Sequence, residues 1–87
     1  MVEKEFKWNE LKSERLKRVR GVSFEEIVKT RIVGVEDHPS RDHQKVFFFE
    51  YKNKIWVAPF VENEKEIFLK TLYPSRKYTK IYQRGEL

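Results

Sequence analysis

Val46-Phe47-Phe48-Phe49-Glu50-Tyr51, then Lys52-Asn53, then Lys54-Ile55-Trp56-Val57-Ala58-Pro59-Phe60, is the stretch on which the fold turns. Both flanks are rich in β-branched and aromatic side chains, which pack better on a pleated sheet than along a helix. Between them stand two polar residues, and Asn tolerates the positive φ that a two-residue hairpin turn demands. The spacing predicts a hairpin in which residues 46–51 pair with 54–60. Pro59 has no amide hydrogen to donate, so its strand is expected to lie at a sheet edge or to bulge there.

Downstream, Glu62-Asn63-Glu64-Lys65 reads as the next turn and Glu66 to Tyr73 as the next strand. Alternation along that strand puts Lys70 on one face with Phe68 and Leu72, opposite Ile67, Leu69 and Thr71. After Pro74, Ser75 can cap a last short helix in which Tyr78, Ile81 and Tyr82 share one face and Arg76, Lys80 and Arg84 another.

Upstream, Val33 to Glu36 suits a strand and His38-Pro39-Ser40-Arg41-Asp42 a polar loop. Before these come two helices. Asn9 offers an N-cap to the first, which runs to about Arg20 and closes at Gly21. Ser23 and Glu26 have capping-box spacing for the second, Val22 and Ile27 stand where a hydrophobic staple packs, and Phe24, Ile27, Val28 and Arg31 or Ile32 give it a buried stripe. Phe6-Lys7-Trp8 alternates as a short strand does. The expected architecture is α+β: a short N-terminal strand, two helices, an antiparallel β-meander and a short C-terminal helix. No repeat, low-complexity stretch or linker divides it, so residues 1–87 are expected to form one domain.

Size and composition agree with one small core. The chain has 87 residues, with 39% apolar and 15% aromatic side chains, and large rings fill a small core efficiently. With no Cys, no disulfide or thiolate metal site can hold it together. No apolar run approaches the roughly 20 residues of a spanning helix, and the run from Met1 to Phe6 has no apolar signal core, so a cytoplasmic protein without membrane contact is expected. The net charge of +5 and pI of 9.5 favour phosphate-bearing partners.

The placement of the cations sharpens that expectation. At about 100° per residue, Leu11, Leu16 and Val19 define an apolar arc on the first helix, and Lys12 and Arg15 fall inside it. Either their stems cover the core edge while the heads reach water, or the heads line a groove between helix and sheet. Lys17, Arg18 and Arg20 read as a solvated basic face. Lys70 is either a snorkelling edge residue or a cation fixed in a cleft. From Tyr73 to Tyr82 cations alternate with aromatics, a pattern suited to gripping phosphates and stacking bases, with Arg76 the best single phosphate ligand. The simpler alternative has Tyr78 and Tyr82 packing the last helix onto the sheet while Arg76, Lys77 and Lys80 are solvated. His38 and His43 share a loop and are either surface residues or a general acid and base. Two nitrogen ligands without organised carboxylates make a poor metal site, and neither a metal nor another cofactor is expected.

The segment from Phe6-Lys7-Trp8-Asn9 through Lys12, continuing to Arg20-Gly21-Val22-Ser23-Phe24-Glu25-Glu26, resembles the N-terminal signature of the BrnT toxin family. Val57-Ala58-Pro59-Phe60-Val61 and Phe68 to Lys77 are similar to the end of one branch of that family. The resemblance implies a RelE-like fold and a metal-independent ribonuclease that stops translation. It implies a ribbon-helix-helix antitoxin as partner, with operator DNA bound only through the toxin-antitoxin complex. It carries Trp8, Lys12 and Arg76 over as motif positions. Two departures stand out: many members have His where this chain has Arg20, and a basic residue where it has Val46. On this footing Arg76, Lys12, Lys70 and Tyr82 are the catalytic candidates, and Arg15, Arg20, Lys77, Tyr78 and Lys80 the RNA-binding ones. The alternative is a basic module that binds RNA or a protein with no chemistry.

Overall fold

In the computed structural model, which describes residues 4–87, the hairpin forms as its sequence dictates. Met1, Val2 and Glu3, in the run read above for a signal core, lie outside the described residues. Strands β3 (Lys45–Tyr51) and β4 (Lys54–Glu62) pair antiparallel from Lys45 opposite Phe60 to Tyr51 opposite Lys54. Lys52 and Asn53 both take positive φ, 51° and 64°, as a turn matched to the right-handed strand twist requires.

Around this hairpin the chain places β1 (Glu5–Lys7), α1 (Glu10–Arg20), α2 (Phe24–Ile27), β2 (Arg31–Asp37), β5 (Glu66–Leu69), β6 (Tyr73–Ser75) and α3 (Arg76–Gln83). The sheet order is β1-β5-β4-β3-β2, with β6 also beside β4. All pairings are antiparallel except β1 with β5, which run parallel. The α+β architecture is the expected one, with an N-terminal strand, helices, the sheet and a closing helix.

Alternation divides the sheet into two faces. Phe47, Phe49, Trp56, Ala58 and Phe60 face Leu16, Val22, Phe24 and Ile27 from the α1–α2 layer. Val46, Phe48, Ile55 and Val57 face the other way and meet Tyr78, Tyr82 and Leu87. Helices therefore cover both faces.

Four local expectations are corrected. Leu11 and Val19 are 77% and 72% exposed while Leu16 is buried, so the inward side of α1 is not the apolar arc. It is the Ser13–Leu16 side, because the buried Ser13 hydroxyl accepts a hydrogen bond from the Phe24 amide at 3.0 Å and sets the corner between α1 and α2. The second helix stops at Ile27, and Arg31 and Ile32 join β2, where pairing with Glu50 and Phe49 of β3 outcompetes another helical turn. Between Ile32 and Gly34 the register shifts, and a Cβ on Gly34 would come within 3.1 Å of the Phe48 ring.

The third correction is the strand expected from Glu66 to Tyr73, which is two strands joined by Lys70-Thr71-Leu72. Leu69 and Leu72 are 1% and 0% exposed in the same cluster. Residues three apart point to opposite faces of an unbroken strand, so the chain must turn between them. Lys70 accordingly does not share a face with Leu72. The fourth concerns Pro59, which lies in an interior strand. On one side of β4, Ile55–Val57 pair with β6 and Phe60–Glu62 with β5, and Pro59 falls at the changeover. Its carbonyl accepts from the Lys70 amide at 2.8 Å, and the missing donor faces the same junction.

Candidate nucleic-acid interface

Helix α1 brings one group of cations together. The Asn9 side chain accepts from the Lys12 amide at 3.0 Å, and Gly21 ends the helix with φ 84°, a left-handed closure that suits glycine. Between these caps Lys12, Arg15, Leu16, Val19 and Arg20 fall within an arc of about 140° on a 3.6-residue helix. With Thr71 they line a hollow of about 220 Å³. At this hollow Lys12 is half-buried and Arg15 exposed. Arg20 is fixed further, because its guanidinium donates to the Leu72 carbonyl. It thereby ties the end of α1 to the β5–β6 connector. The basic face expected at Lys17, Arg18 and Arg20 is thus split, since Lys17 pairs with Glu26 at 2.9 Å and only Arg18 is simply solvated.

Helix α3 organises a second group. Ser75 caps it by accepting from the Tyr78 amide at 3.1 Å, and the Thr79 hydroxyl accepts from the Ile55 amide at 2.8 Å, pinning the helix to the start of β4. That anchorage sets Arg76 and Lys80, one turn apart, beside Lys54. These three, with Pro74, Ser75, Thr79 and Gln83, line a hollow of about 440 Å³.

Lys12 and Arg76 therefore sit on helices on opposite faces of the sheet and line different hollows. Between the two hollows runs Lys70–Ser75: Thr71 lines the first, Pro74 and Ser75 the second. Lys70 is exposed on this segment. Among the described residues, no carboxylate lies within ion-pair distance of Lys12, Arg15, Arg20, Lys54, Lys70, Arg76 or Lys80.

Tyr78 and Tyr82 pack against the sheet. The Tyr78 ring lies 4.4 Å from that of Phe48, and both tyrosines cover the second hydrophobic cluster. Lys77 is exposed, with its ammonium 5.5 Å from the Tyr78 ring centre. His38 and His43 line a separate, open cavity of about 490 Å³ that also holds Asp37, Arg41, Asp42, Lys45 and Glu62. The Nδ1 atom of His38 accepts from the amides of Ser40 and Arg41 at 3.1 and 3.2 Å. Among the described residues, no group of three or more His, Cys, Asp or Glu is placed to hold a metal ion, and no helix is long and apolar enough to cross a membrane.

Sequence reasoning overlooked three participants. Lys54 joins Arg76 only through the pairing of Ile55 with Ser75, and Thr71 meets α1 only because the chain turns after Leu69. Ser13 gave no local signal either, as a helical serine is ordinarily solvated.

No family model matches the sequence, and no curated protein matches it. Among solved structures, the 1.1 Å crystal structure of the Brucella abortus ribonuclease toxin BrnT superimposes with a TM-score of 0.56 over 84% of this chain and 97% of that one, at 12% identity. The two chains share a fold, as the resemblance in the sequence implied.

Proposed function

We propose, from the fold this chain shares with a ribonuclease toxin, that it is a metal-independent RNA endonuclease that blocks translation. In this reading residues 1–87 act as one domain in the cytoplasm, and a ribbon-helix-helix antitoxin neutralises it by laying an acidic segment over the same cations, which excludes RNA. Operator DNA is met only through that complex. The observation that carries the proposal is the pair of carboxylate-free cationic hollows flanking Lys70–Ser75.

In metal-free cleavage the ribose 2′-oxygen loses its proton and attacks the adjacent phosphorus. The phosphorane gains negative charge, and the 5′-oxygen leaves with a proton, giving a 2′,3′-cyclic phosphate and a 5′-hydroxyl. The proposed strand lies along the Lys70–Ser75 edge. Arg76, whose planar fork can hold two oxygens, stabilises the phosphorane from the α3 side, while Lys12 grips another phosphate of the same strand from the α1 side. Lys70 lies in the edge itself. Arg15, Arg20, Lys77, Tyr78 and Lys80 are assigned to binding the flanking nucleotides, and Tyr82 to protonating the leaving oxygen. A guanidinium is not a proton-transfer group, so Arg20 is assigned to positioning the edge and supplying charge where members of the resembled family carry His.

The test is to incubate the purified chain with unstructured RNA in EDTA, and in parallel with a translating extract. Cyclic-phosphate ends are expected in at least one of the two. Arg76→Ala should lower cleavage by about 100-fold or more, the usual loss when a transition-state charge partner is removed, and Lys12→Ala should lower it through weaker RNA binding, both with melting temperature little changed. Tyr82→Phe keeps the packing and removes only the hydroxyl. RNA retention without cleavage in both settings would identify a non-catalytic binding module and sink the nuclease reading.

A further inference from the structure

We propose that Tyr73 is a base-stacking platform, and that the two hollows are successive phosphate grips on one unpaired strand about four nucleotides long. The inference rests on the RNA-cleavage reading and adds to it the form and length of the substrate.

Tyr73 is covalently bracketed by the two grips. The Arg20 guanidinium holds the carbonyl of Leu72, while Pro74 and Ser75 line the hollow of Lys54, Arg76 and Lys80. Tyr73 is 40% exposed, although it stands opposite the buried Val57 in the sheet. A large, partly exposed ring flanked along the chain by two sets of cations suits a nucleotide base, because every base offers a π face whatever its sequence. The backbone there is also open. Strand β1 covers only Glu66–Phe68 of this edge, and β6 pairs with β4 on its inner side, leaving the outer side unpaired among the described residues.

The span sets the length. Even fully extended, at roughly 3.3 Å per residue, Thr71 to Ser75 reaches at most about 13 Å, which bounds the strand at about four nucleotides for the roughly 3.4 Å rise of a stacked strand. A duplex keeps its bases in their own stack and offers none to Tyr73, so an unpaired strand is the ligand.

The probes are fluorescent 2′-O-methyl oligonucleotides of two to eight residues, which lack the attacking hydroxyl and report binding alone. Affinity should climb steeply up to about four nucleotides and level off, and pairing with a complement should abolish it. Tyr73→Ala should weaken binding about tenfold or more, while Tyr73→Trp binds as wild type does, which separates stacking from folding. Lys54→Ala and Lys80→Ala should each lower the salt slope of binding by about 0.7. If Tyr73→Ala binds normally, or affinity stops rising at two nucleotides, while Lys12→Ala still weakens binding, the platform is wrong and the groove reading survives. If the wild type neither binds these strands nor cleaves RNA, both readings fall. Displacement of the strand by polyglutamate together with indifference to Tyr73→Ala would make this edge a docking surface for acidic polypeptide, and overturn the inference.

Discussion

The two faces of the sheet are built on different principles. On the α1–α2 side, Val22, Phe24, Ile27 and Leu72 are wholly buried against Phe47, Phe49, Trp56 and Phe60, and the rings of Phe47 and Phe60 stack at 4.1 Å. On the other side α3 contributes no buried residue, and Tyr78 and Tyr82 only half bury themselves over Phe48. Burial of apolar area is the main stabilising term, so the first face holds the fold and the second holds a helix in place. The proposed nuclease surface draws on both, taking Lys12 from the rigid side and Arg76 from the lightly held one. An element with few buried contacts opens locally at small cost. A bound strand that engages Arg76 is expected to slow hydrogen exchange in α3.

The sharpest way to break this contrast is substitution on each face. Phe24→Ala should cost about 3–5 kcal/mol in denaturant unfolding, the usual loss for a buried ring, whereas Tyr78→Ala should cost clearly less and mainly raise hydrogen exchange in α3. Equal losses would mean that α3 belongs to the cooperative core. A smaller effect is expected at the corner of the first face. Ser13→Ala strands the buried Phe24 amide and should cost about 1–3 kcal/mol, and it should shift Lys12 and Arg15 relative to Thr71, lowering RNA binding as well as stability. Unchanged binding in that variant would show that the α1 hollow does not depend on the corner.

The smallest expected effect is electrostatic. The hydrogen bond from Lys17, and then the Ser23 amide, hold the Glu26 carboxyl below its ordinary 4.5. A depressed carboxyl contributes stability that is present above its unfolded pKa and is lost as pH falls through the folded one. Melting temperature should therefore drop in acid below about pH 4.5, and Glu26→Gln should flatten that part of the profile. The pair is exposed, so the change should be slight. A large one would place more of the first face's stability in this corner than in its rings.

Much of this was legible locally. The caps at Asn9, Ser23 and Ser75, the Lys52-Asn53 turn and the faces of α3 each rest on residues a few positions apart, and all stand in the structure. The misreadings share one cause. Leu11 and Val19 are exposed, and the strand after Glu66 breaks, because burial was decided by partners remote in sequence: the α1–α2 corner in one case, the Leu69–Leu72 pair against the core in the other. The cations of the candidate interface were recognised by type, but their division between two hollows was not, since no local rule says which face of a sheet a terminal helix will cover.

The sequence by itself determined the helix caps, the hairpin at the centre, the basic charge and the aromatic–cation tail, because those depend on backbone preference and short-range spacing. The tertiary structure alone decided that β4 changes neighbour at Pro59, that Arg20 clasps the Leu72 backbone, and that Lys12 and Arg76 approach one edge from opposite faces. Those arrangements arise from long-range pairing and packing, where residues far apart in the chain compete for the same buried surface.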